Sequence, residues 1–107
     1  MVYIVIESWY PAAKAVEVGK LYLEVMKKYP DDRSIGKPIV QSAVNSEREG
    51  IHVIHISEIK PGKIREALDM ASNRMIMLAS IEGFKYTQRL YYTIVEAMPF
   101  IGLQAPE

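Results

Sequence analysis

The chain has 107 residues, enough for one domain around one hydrophobic core and small enough that a partner subunit would help bury apolar surface. Its 13 basic and 13 acidic residues cancel, which removes the global field that draws proteins to nucleic acid or anionic membranes. Hydrophobic residues make up 50% of the chain, yet no apolar run approaches the roughly 20 residues of a membrane helix, and the lack of cysteine excludes disulfides and thiolate chemistry.

The opening "MVYIVIESWY" has neither the basic n-region nor the cleavage site of a signal peptide, so a cytoplasmic address is expected. Its run from Val2 to Tyr10 is β-branched and aromatic, and Pro11 cuts it short, which predicts a first strand. Pro11 suits the start of a helix, where its missing N–H costs nothing. The following segment places Ala15, Val18, Tyr22, Val25 and Tyr29 on one stripe, with Leu21 and Met26 beside it. Lys27 and Lys28 complement the helix dipole in the last turn, and Pro30 stops the helix.

After the polar loop "DDRSIGKP", the stretches "IVQSAVN" and "IHVIHISEI" pair as a hairpin across the turn residues "SEREG". "KPGK" breaks the chain again, without the P-loop pattern. Ile64, Leu68, Ala71, Met75 and Leu78 then recur at helical spacing, with Gly83 as the stop. "TQRLYYTIVEAM" predicts a last strand closed by Pro99. From about residue 99, "PFIGLQAPE" is an apolar tail that should dock on something.

Strand, helix, strand, strand, helix, strand is the ferredoxin-like order. It predicts a single α+β domain over residues 1–107, with a four-stranded antiparallel sheet in the order four, one, three, two and two helices on one face. The uncovered face of such a sheet should alternate toward polar residues. Here Tyr3, Val5 and Trp9 oppose Ile4 and Ile6, Val53 and Ile59 oppose Ile54 and Ile56, and Tyr91 and Val95 oppose Leu90, Tyr92 and Ile94. Both faces are largely apolar, so both should be covered, and a second copy of the chain is the natural cover.

The βαββαβ order over about residues 1–100, the two-sided apolar sheet and the segment after Pro99 together resemble the dimeric α+β barrel superfamily. The resemblance implies a homodimer or higher homo-oligomer in which two ferredoxin-like subunits pack sheet against sheet as a dimeric α/β barrel. It also implies small-molecule chemistry of the monooxygenase or isomerase type. The chain departs from the haem-degrading members, which typically present a histidine from the second helix. That helix offers Asn73, Arg74 and several methionines here.

The chain's two histidines, His52 and His55, lie in "IHVIHISEI". Side chains three apart on a regular strand face opposite ways, so these two do not chelate as a pair. If the strands pair so that Ile4, Ile6, Ile54 and Ile56 share a face, then Glu7, Trp9 and His55 share the other. A glutamate beside a histidine fixes its tautomer and raises its pKa, which makes Glu7 and His55 the candidate catalytic pair. Trp9, His52, Arg89 and Tyr91 are expected at the same sheet edge as candidate ligand-binding residues. Met70, with Met75 and Met77, supplies an adaptable surface from the second helix. Each has an ordinary alternative: a strand histidine with a hydrogen-bond partner, a tryptophan packed on a helix, methionines filling the core.

No residue spacing points to a metal, and neither a hydrolase nucleophile motif nor a dinucleotide fingerprint is present, so no cofactor is expected. RNA recognition would need aromatic residues on the third strand and a basic surround, and the chain has neither. The expectation is a homodimer that binds a small apolar or aromatic molecule, with acid–base chemistry as the extension. The alternative is a non-catalytic oligomeric binding or assembly protein, and the sequence leaves open whether the chain is an enzyme.

Overall fold

A computed structural model describes residues 1–104; the last three residues of the tail lie outside it. The elements run β1 (Val2–Tyr10), α1 (Ala15–Lys28), β2 (Gly36–Glu47), β3 (Gly50–Ile59), α2 (Ile64–Leu78), β4 (Lys85–Tyr92) and a short α3 (Ile94–Ala97). Single turns of 3-10 helix precede α1 at Ala12–Lys14 and follow α3 at Met98–Ile101. The four strands form one antiparallel sheet in the order β2-β3-β1-β4, the expected ferredoxin-like arrangement. No helix among the described residues is long and apolar enough to cross a membrane.

One face of the sheet carries the core. Ile4, Ile6 and Ile59 pack against Ala67 and Ala71 of α2. At the other end Val18 and Val25 of α1 meet Leu78, Ile81 and Phe84. The helical stripe in α2 runs through Ala67 as well as Ala71 and Leu78, while Ile64 at its start is exposed. Arg74 ties the two helices together. Its Nε and Nη2 donate to the main-chain carbonyl of Tyr29 at 2.9 and 2.6 Å, and Nη2 also reaches Asp31 at 3.1 Å. That carbonyl belongs to the residue capping α1, so the guanidinium satisfies an acceptor that the helix end leaves free. Past α2, Gly83 takes a positive φ of 86° with Pro11 so close that a Cβ would meet its ring at 2.7 Å. Only glycine permits both the turn and that approach.

The structure corrects two expectations. The first concerns the faces. β1 pairs with β3 so that Ile4 lies opposite Ser57, Ile6 opposite His55 and Glu7 opposite Ile54. Residues directly opposite share a face, so Ile54 and Ile56 stand on the open side with Val5 and Glu7, and His55 lies under the helices. The expected register, with Ile4, Ile6, Ile54 and Ile56 together, is not the one formed. The second concerns the last strand, which ends at Tyr92 instead of running to Met98. Thr93 accepts from the Glu96 main-chain N–H at 3.3 Å and the Glu96 side chain reaches back to Thr93, a capping box that turns the chain into α3.

β2 is an edge strand, and its ladder with β3 slips twice, between Pro38 and Val40 and between Val40 and Ala43. The slips fall beside the positions that face His55.

Candidate functional site

Between the helices and the sheet lies a cavity of about 280 Å³. Its origin is in the small residues of α2: Ala67 and Ala71 pack with Ile4 and Ile6 on successive turns and leave space there, with Leu68 and Met75 only partly buried beside them. Met70 and Met75 line its helical side and Tyr10, Tyr22 and Phe84 part of its wall. Most of the lining is apolar; the sheet side adds Ser8, His55 and Ser57. A mainly apolar pocket with a few convergent polar groups is the common form of a small-molecule site.

His55 is held on both ring nitrogens. Nδ1 bonds to the main-chain carbonyl of Gln41 in β2, and Nε2 lies 2.9 Å from Ser57 Oγ. A carbonyl oxygen only accepts, so Nδ1 carries the proton and donates it. In the neutral ring Nε2 is then the acceptor, and Ser57 O–H donates to it. The tautomer is thereby fixed with its basic nitrogen toward the cavity-lining serine.

The open face of the sheet holds a second cluster. His52 Nε2 lies 2.8 Å from Glu7 Oε2, and Nδ1 lies 3.2 Å from Glu47 Oε1, which also accepts from Asn45 Nδ2 at 3.2 Å. Trp9 stacks on the imidazole, ring centroids 4.8 Å apart and planes within 9° of parallel. Between two carboxylates a neutral imidazole would turn one lone pair toward an oxygen, whereas the imidazolium donates to both. The Glu7 hydrogen bond accordingly raises the His52 pKa; partial desolvation opposes this and Glu47 adds to the rise.

The expected Glu7–His55 pair therefore does not form. The β1–β3 register puts these side chains on opposite faces, and Glu7 meets His52 instead. Trp9 stacks on His52 and does not pack under a helix. Arg89 and Tyr91 share the open face but pair with Val5 and Tyr3, toward the other end of β1 from Trp9, which lies opposite Lys85. Met70 lines the cavity. Strand parity puts Ser57 on the same face as His55, although sequence reasoning assigned it no role; Gln41 and Glu47 were not singled out. Gln41 falls within the slipped part of the β2 ladder, for which the sequence carries no signal, whereas Glu47 lies in the regular register beside the hairpin turn, two residues from Asn45, which pairs with His52.

No family model matches the chain, and no curated protein does. Among solved structures it is similar to a formyltetrahydrofolate deformylase from Pseudomonas putida KT2440, with a TM-score of 0.45 and 8% identity over 83% of this chain. The chain spans 28% of that protein's length, and a likeness this distant carries no argument about activity.

Proposed function

We propose that the chain works as a cytoplasmic homodimer that binds a small, largely apolar or aromatic molecule between its sheet and its helices, with His55 as the acid–base group of the site. The observation that carries this reading is the cavity of about 280 Å³, largely apolar, with Arg74 among its lining residues from α2 and Ser8, His55 and Ser57 on the sheet side. A volume near the lower end of known ligand pockets favours a ligand of one or two rings. Glu7, named with His55 from the sequence, belongs to the open face and has no part in this site. The test is titration of the full chain with 1-anilinonaphthalene-8-sulfonate, followed by displacement with small aromatic compounds. Saturable enhancement that one class of compound reverses supports the reading, and no enhancement overturns it.

The homodimer rests on the open face. Val5, Ile54 and Ile56 stand there beside Tyr3 and Trp9, and a twofold pairing would cover them as the dimeric α+β barrel resemblance implies. Ile56→Lys places a charge at the middle of that face. Sedimentation equilibrium should find the wild type dimeric and Ile56→Lys monomeric; a monomeric wild type would remove the proposed pairing.

A further inference from the structure

We infer that Ser57 and His55 form a nucleophile–base dyad, and that the cavity carries out acyl transfer from small activated esters, aryl esters of short acyl chains in particular. The inference rests on the reading of the cavity as a ligand site and names the reaction there. Three features converge. Ser57 Oγ lies 2.9 Å from His55 Nε2, within reach for direct proton transfer. The main-chain carbonyl of Gln41 holds Nδ1–H, which leaves Nε2 as the basic nitrogen and fixes the ring. Both side chains line the cavity, where an apolar acyl group would lie against the serine. A nucleophile in contact with a base, and the base oriented by a third group, is the arrangement that activates a hydroxyl.

The balance of the step is simple. Ser57 Oγ bonds to the ester carbonyl carbon while its proton passes to His55 Nε2. The tetrahedral adduct collapses, the carbon–aryloxy bond breaks, and the phenol leaves with the proton from Nε2. Water then attacks the acyl-serine, giving its proton to Nε2, and release of the acid returns a proton to Oγ. The net reaction is ester plus water to acid plus phenol. The Ser42 hydroxyl already donates to the Gln41 carbonyl, so the side chains of Lys37 and Gln41, which also line the cavity, are donors available to the developing oxyanion. They are flexible side chains on an exposed edge strand, which restricts the site to good leaving groups.

The experiment treats the full chain with diisopropyl fluorophosphate and follows intact mass and the modified peptide. One adduct should form, on Ser57. It should vanish in Ser57→Ala, slow at least tenfold in His55→Gln and persist unchanged in Ser46→Ala, whose serine lies outside the cavity lining. Release of p-nitrophenol from p-nitrophenyl acetate should follow the same pattern. No adduct, or an adduct whose rate ignores His55→Gln, overturns the dyad. Binding of 1-anilinonaphthalene-8-sulfonate by Ser57→Ala separates the two readings: retained binding without wild-type labelling sinks the dyad and keeps the cavity, whereas loss of both sinks both.

Discussion

Replacing Ala71 by leucine should make the protein more stable and less able to bind. Ala71 is buried in α2, packs with Ile4, Ile6 and Ile59, and lines the cavity. Leucine at this position would add three carbons to a space of about 280 Å³ that α2 leaves above the sheet. Burying three carbons is worth at most roughly 2.4 kcal/mol, and fixing the leucine rotamer costs about 0.5–1 kcal/mol. Because the exposed Lys37, Gln41, Ser42 and Val44 of β2 are part of the cavity lining, part of the new side chain stays in contact with solvent and the net gain falls to about 1 kcal/mol. For a domain of this size that raises the melting temperature by about 4 °C. Urea unfolding followed by circular dichroism measures the first effect, and dye titration the second. A loss of stability would mean that the site is already full and the leucine overpacks it. A stable variant that binds as before would place the ligand elsewhere.

His52 titrates between Glu7 and Glu47, which raise its pKa, so its contribution to stability is full below the ordinary histidine range and fades as pH rises through the higher folded value. Trp9 is the chain's only tryptophan and stacks on that ring, so its fluorescence should report the titration with a midpoint above that of a free histidine; Glu7→Gln should lower the midpoint, and a midpoint that does not move would refute the pairing. Thr93→Ala removes the side-chain acceptor of the capping box and should cost α3 about 1 kcal/mol, visible as faster amide exchange at residues 94–97 with little change in the melting of the sheet.

Hydrophobic periodicity and proline punctuation were enough to read the order of the four strands and the two long helices along the chain, and the ferredoxin-like arrangement that this order implies supplied the strand order in the sheet. Which side of the sheet each residue faces was not legible, and the reason is physical. Register follows from pattern only where one face is apolar and the other polar. Here Val5, Ile54 and Ile56 on the open side are as hydrophobic as Ile4 and Ile6 on the buried side, so pairing isoleucines with isoleucines was as consistent with the pattern as the register that forms. The error exchanged the histidines: His52 took Glu7, and His55 went to the cavity. The misread end of the last strand was recoverable. "TIV" has high strand propensity, but Thr93 followed by Glu96 is the signature of a helix start, and the cap prevails over the propensity of two residues.

The two slips in the β2 ladder bear on how copies of this chain can associate. An edge strand offers a row of free donors and acceptors to any other strand, and sheets that accept such offers grow without limit. β2 makes a poor template, because its pleat is out of step twice and Pro38 lacks a donor. The other edge, β4, exposes Lys85 and Arg89, whose like charges repel a second copy laid alongside. Addition strand by strand is therefore obstructed at both margins, while the broad face stays open. If copies pair as proposed, they would close on one another across that face and not extend into filaments.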